Sequence, residues 1–317
     1  MTTSPEAAPP YRGDDLFPGF AAHELTTERG LVFAHVGGTG PPLLLLHGYP
    51  QTHLMWRDVA ATLADRFTVV AADLPGYGAS FRPVPQADHV PHSKRAIAVD
   101  LVQAMSVLGH ERFSVAGHDR GGRVAYRMAL DHPDRVSAAA VLDVVPTGEV
   151  WSRADAQMAL GYWHWAFLAQ PAPLPERLIA GDADAFFDFH VRTLGLGRAP
   201  DRYPAELMTG YRALLDDVSV VQAICEDYRA GATVDREHDD ADLGRRQIEC
   251  PLLALWSATG ALPRFYGDVL DVWRPWARHV SGQGLPASHF MVEDQPEMIA
   301  GILSEFLDRH QAASSRP

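Results

Sequence analysis

Apolar runs bounded by turn signals alternate with amphipathic segments along the chain, the pattern of a parallel sheet joined by crossover helices. The run from Pro42 to Gly48, PLLLLHG, predicts a buried strand, and Thr52 to Ala64 predicts a helix. Thr68 to Ala72 reads as the next strand and Ser93 to Leu108 as the next helix. Phe113 to Ala116 is a short apolar strand, followed after a tight turn by a helical rhythm at Val124, Ala125, Tyr126, Met128 and Ala129. Val136 to Val145 and Pro251 to Trp256 predict two further strands. A short strand at Arg278 to Val280 and a helix at Glu297 to Leu307 complete the series.

The region from about Pro146 to Ile248 is different, rich in aromatic and charged residues and helical in pattern. A helical insertion between two core strands belongs over the carboxyl edge of the sheet, where ligands of open α/β folds bind. The expected organisation is a core of residues 19–147 and 247–310, a helical cap of residues 148–246, and mobile tails at 1–18 and 311–317.

The formal charge of −13 argues against nucleic acid and anionic membranes as partners, because both require a basic surface. An anionic substrate would need a local cluster of cations. The first twenty residues hold Glu6, Asp14 and Asp15 and no apolar block, so they read neither as a secretory signal nor as a membrane span, and the expected location is cytoplasmic. Cys225 and Cys250 lie far apart without a CxxC spacing and are expected to be free thiols.

Residues 114 to 123 read SVAGHDRGGR. The pattern GxSxG at a strand-to-helix junction is the nucleophile elbow of α/β-hydrolases, and here Asp119 stands in the serine position. With HGYPQTHLMW at 47–56, DLPGYG at 73–78, LDVVPT at 142–147, YWHWAFLAQPAPLPE at 162–176, CEDYRAGA at 225–232 and SHF at 288–290, the chain resembles the haloacetate (fluoroacetate) dehalogenase family over roughly residues 18 to 310. The resemblance implies an α/β-hydrolase fold, a mostly parallel sheet with flanking helices and a helical cap inserted after strand 6. The implied reaction converts a 2-haloacetate to glycolate and halide.

A serine needs a base to become a nucleophile, whereas an aspartate is ionised at neutral pH and attacks an alkyl carbon directly. Asp119 would form an ester and His289, late in the chain before the final helix, would activate water to hydrolyse it. The acid orienting that histidine is expected at Asp143 in VLDVVP, since LALWSATGALP offers no carboxylate before Asp268; the resemblance implies the same residue. Arg120 and Arg123 follow the nucleophile and suit a bidentate clamp on a substrate carboxylate. By resemblance His164, Trp165 and Tyr228 fall on halide-binding positions. The oxyanion hole would use the backbone N–H groups of Tyr49 and Arg120, with His47 and His118 buttressing the turns.

His89, His92 and the acidic run Glu237 to Asp240 lack a complete ligand set, so neither a metal nor a cofactor is expected. The expected partners are a small anionic halo-acid and water, and a homodimer is compatible with the sequence. The resemblance implies that HVRTLGLGR, at 190–198, stands where the family carries a tryptophan on the access path; Leu194 is the nearest counterpart, and a smaller side chain there would admit longer 2-halo acids. The alternative reading is an epoxide hydrolase with the same aspartate nucleophile, its epoxide oxygen protonated by Tyr162, Tyr211 or Tyr228.

Overall fold

The computed structural model describes residues 11–194 and 203–314. Its sheet has eight strands: β1 (Ala21–Thr26), β2 (Leu31–Gly37), β3 (Pro42–Leu46), β4 (Thr68–Ala72), β5 (Phe113–His118), β6 (Val136–Leu142), β7 (Leu252–Ser257) and β8 (Val280–Leu285). They lie in the order β1-β2-β4-β3-β5-β6-β7-β8. β1 and β2 pair antiparallel, as do β2 and β4; the other neighbours are parallel. The Leu43 to Leu46 run and β5 are buried throughout, as continuous apolar strands must be when helices cover both faces.

The helices before β7 are α1 (Arg57–Leu63), α2 (Lys94–Val107), α3 (Arg120–Asp131), α4 (Thr147–Ser152), α5 (Ala156–Gly161), α6 (Trp163–Leu168), α7 (Leu174–Gly181), α8 (Ala183–Leu194), α9 (Ala205–Asp216), α10 (Val218–Ala232) and α11 (Val234–Asp242). After it come α12 (Ala261–Tyr266), α13 (Val269–Trp273), α14 (Met291–Asp294) and α15 (Pro296–Ser314). Helices α4 to α11 form the insertion after β6, and among the described residues no strand interrupts them. Among the described residues no helix is long and apolar enough to cross a membrane.

Several expected boundaries move. The strand expected to reach Val145 ends at Leu142, because Asp143 turns to φ +53 and leaves the sheet. The strand expected at Arg278 to Val280 instead begins at Val280 and runs to Leu285. Its sequence, VSGQGL, carries little apolar signal because this edge strand is half exposed. Gly282 is there for contact: a Cβ on it would lie 1.9 Å from Ala254 O of β7. The antiparallel pair β1 and β2 was not foreseen, since β1 buries only Leu25 and shows no clean alternation.

The expected N-terminal tail is also too long. Phe17 is buried and stacks on His35 with ring centroids 4.6 Å apart, and Arg12 O accepts a hydrogen bond from His53. At the other end α15 runs past residue 310 to Ser314. Residues 1–10 and 315–317 lie outside the described residues.

Candidate active site

The carboxyl end of β5 lies between β3 and β6 and delivers Asp119 at the first turn of α3. Asp119 has φ 44 and ψ −114, a conformation that costs a non-glycine residue about 1–3 kcal/mol and persists only where the surroundings impose it. Those surroundings are close. The Asp119 N–H donates to Leu142 O at 3.1 Å, and the Gly121 N–H donates to His47 O at 2.8 Å. A Cβ on Gly117 would lie 2.2 Å from Gly121 O, and one on Gly121 2.5 Å from His47 O. The glycines of GHDRGG are therefore demanded by backbone approach.

Tyr49 N–H donates to Asp119 Oδ2 at 3.0 Å. Gly48 makes room for this contact, since a Cβ there would lie 2.6 Å from Asp119 Cβ. The Arg120 N–H opens α3, where helical N–H groups have no intrahelical acceptor. Burial pushes the Asp119 carboxyl up, but His289, Arg120, His118 and Arg123 pull it down further, and its net direction is below the ordinary carboxylate range. The buried carboxyl is thus held ionised.

His289 sits in the loop between β8 and α14. Its Nδ1 is 2.7 Å from Asp143 Oδ2, and Asp143 Oδ1 accepts the Ser257 N–H at 3.0 Å. Burial would lower the His289 pKa, but the hydrogen bond and charge of Asp143 and the charge of Asp119 raise it above the ordinary value. His118 Nε2 donates to His289 O at 2.8 Å. The Leu74 N–H donates to His47 Nε2, so His47 Nδ1 donates to Gly48 O. Both histidines brace turns.

Arg120 is 1% exposed and lies with its Cζ 4.2 Å from the Tyr228 ring centroid. Its Nε donates to Asp227 Oδ2 at 2.7 Å and its Nη2 to Asp227 O at 2.9 Å, while Nη1 is buried without a protein partner. Arg123 donates through Nη1 to Val145 O at 2.8 Å, stacks over Trp165 at 4.4 Å, and keeps its Nε unpartnered. Each arginine thus spends part of its fork on the protein.

His164, Trp165 and Tyr228 come together from α6 and α10, with ring centroids 5.9 Å apart for His164 with Tyr228 and for Trp165 with Tyr228. Tyr49 closes the group at 5.6 Å from Tyr228. Burial, His190, His289 and the two arginines hold His164 well below its ordinary pKa and therefore neutral. Burial, then the Asp119 charge, raises Tyr228 and keeps its hydroxyl proton. Leu194 lines a cavity of about 140 Å3 together with Asp143, Tyr162, Ser257 and His289; the residues that follow it, from 195 to 202, lie outside the described residues.

A family model described as alpha/beta hydrolase fold matches residues 41–194. The fluoroacetate dehalogenase of Burkholderia sp is 44% identical over 292 residues, covering 92% of this chain and 95% of that protein. The chain belongs to the haloacetate dehalogenase family of α/β-hydrolases. A soluble epoxide hydrolase of Corynebacterium sp. (strain C12) is 30% identical, covering 85% of this chain and 91% of that protein. The crystal structure of ALR0039 from Nostoc sp PCC 7120 is 43% identical with a TM-score of 0.87, covering 91% of this chain and 98% of that one.

In this dehalogenase the sequence reading missed the residues that hold Arg120. Asp227 also accepts the Tyr77 hydroxyl at 3.0 Å and pairs with Lys94 Nζ, which in turn reaches Asp235 at 3.1 Å. All are buried. Asp227 stood in the quoted CEDYRAGA, but nothing in that segment names an arginine 107 residues away as its partner. The histidines and acids weighed as metal ligands are distributed: His89 pairs with Glu226 at 2.7 Å, and among the described residues no three His, Cys, Asp or Glu groups converge as a metal site. Cys225 and Cys250 are free and buried.

Proposed function

We propose that this enzyme converts a 2-haloacetate, fluoroacetate or chloroacetate, to glycolate and halide in two displacements. Asp119 Oδ2 accepts the Tyr49 N–H, which leaves Oδ1 to attack C2 of the substrate. The new C–O bond forms as the carbon–halogen bond breaks, and the electron pair leaves with the halide. His164, Trp165 and Tyr228 surround the leaving group with donors in a dry site. Arg120 Nη1 and Arg123 Nε hold the substrate carboxylate.

In the second step His289 Nε2 takes a proton from water, and the hydroxide adds to the Asp119 ester carbonyl. The N–H groups of Tyr49 and Arg120 carry the oxyanion. Collapse releases glycolate, which receives the proton from His289, while Asp119 keeps the oxygen from water and loses that oxygen's proton to solvent. Haloacetate and water thus become glycolate, halide and one proton.

The observation that carries this reading is the pairing of an ionised, Tyr49-held Asp119 with two arginines that each keep a buried N–H free of protein partners. The same reading divides the chain into a core of 19–147 and 247–310 and a cap of 148–246, supported by the departure of the chain from the sheet after β6 and its return at β7. An ion-selective measurement of halide released from fluoroacetate, chloroacetate and a neutral haloalkane, with styrene oxide as epoxide control, tests it. No halide from either acid refutes it.

The Corynebacterium relative favours epoxide hydrolysis as a second reading. Tyr211 gives that reading no support, because its hydroxyl donates to Glu293 at 2.7 Å. Tyr162 and Tyr228 remain as candidate acids, and turnover of styrene oxide without halide release would favour this reading.

A further inference from the structure

Directly behind His289 the chain turns into α14, and two of that helix's four residues reach out of it with carboxyl groups. Glu293 is 3% exposed. Its Oε1 accepts the Tyr211 hydroxyl of α9 at 2.7 Å, and its Oε2 accepts the side-chain amide of Gln51, two residues after Tyr49. Asp294 Oδ2 accepts the Ser288 N–H at 2.9 Å, closing the His289 loop, and Asp294 Oδ1 accepts the Tyr203 hydroxyl at 3.0 Å, just before α9. The bonds of Glu293 join segments 242 and 82 residues distant in sequence.

We infer that Glu293 is a positioning residue that, with Tyr211 and Gln51, latches cap helix α9 to the oxyanion loop and to the loop carrying His289, coupling the seating of the cap to the placement of the base. The inference rests on the proposed role of His289 in ester hydrolysis. A carboxyl at this depth is an expensive way to join three segments, since apolar side chains of similar volume pack there more cheaply. Burial pushes Glu293 up to about 8, with Asp294 adding to the rise and the Tyr211 and Gln51 bonds and Arg57 drawing it down. The group is therefore neutral through the neutral range, and Arg57 and Asp294 are the charges that face it.

His289 acts only after halide has left, so a loosened latch must slow the second step more than the first, which feels it only through the Tyr49 N–H. The test is a single turnover of chloroacetate with excess enzyme, following halide by electrode and the Asp119 ester by mass spectrometry. In Tyr211→Phe, ester decay should slow roughly five-fold, the rate equivalent of one buried hydrogen bond, while halide release stays within about two-fold. Glu293→Gln, which keeps an uncharged hydrogen-bonding group of similar shape at this position, should keep ester decay at neutral pH within about two-fold of wild type. Ester decay unchanged in Tyr211→Phe, or halide release slowed to the same degree, overturns the latch. Amide hydrogen exchange on the substrate-free enzyme gives an independent arm. Tyr211→Phe should speed exchange in both residues 205–216 and residues 287–292, and faster exchange confined to the first segment overturns the inference. This arm stands even for an enzyme that releases no halide, an outcome that would refute the proposed function instead.

Discussion

Asp143 Oδ2 lies 2.7 Å from His289 Nδ1 across 146 residues of chain, and the other oxygen of Asp143 is held by the Ser257 N–H. This fixes the tautomer: Nδ1 carries the proton, which leaves Nε2 unprotonated for the role of base in the proposed mechanism. Three strands meet in the arrangement, since Asp143 follows β6, Ser257 ends β7 and His289 follows β8.

His289→Asn should leave displacement intact and stall hydrolysis. Steady-state turnover falls roughly 10²–10⁴-fold, and mass spectrometry of the denatured protein finds a substrate-derived ester on Asp119. An unmodified protein in a variant that still binds substrate would exclude the covalent route.

The pH dependence follows from the same pair. The His289 pKa is raised above its ordinary 6.5, so ester hydrolysis, which needs neutral imidazole, gains rate as pH rises through the raised value. Stability runs the other way. The folded state binds this proton more tightly than the unfolded one, so the contribution is complete below about pH 6.5 and is lost as pH rises through the folded pKa. Asp143→Asn removes the main support of the shift and should move the acid limb of ester decay to lower pH, measured by rapid quench across the range.

Arg123→Leu removes a partly uncommitted guanidinium that stacks on Trp165. Loss of a charge-assisted bond to the substrate carboxylate should raise KM for chloroacetate roughly ten- to a hundred-fold, with far-UV circular dichroism unchanged. Equal KM in variant and wild type would remove Arg123 from the clamp.

Asp227→Asn acts through Arg120. It leaves the buried cations Arg120 and Lys94 with a weakened partner, and breaking a buried pair costs about 3–5 kcal/mol. Denaturant unfolding should show that loss, together with a raised KM.

Gly48→Ala places a methyl group 2.6 Å from Asp119 Cβ and 2.9 Å from His118 Nδ1. Overpacking of this kind costs about 1–3 kcal/mol, and it displaces the Tyr49 N–H from Asp119. Thermal unfolding should shift down, and halide release in a single turnover should slow along with ester decay.

The sequence by itself determined the elements with local causes. The buried strands β3, β4, β5 and β7 were legible because they are unbroken apolar runs, and the elbow because its glycines crowd around one aspartate in six consecutive residues. The edge strands β1 and β8 were not legible as they stand, because half-exposed strands need no apolar pattern. The tertiary structure alone decided what each polar group faces. It turned Arg120 toward Asp227, gave Tyr211 to Glu293 instead of the substrate pocket, and joined α14 to the cap. Such pairings are set by segments 82 to 242 residues apart meeting in a buried space, where a polar group must find a partner and no local spacing records which one.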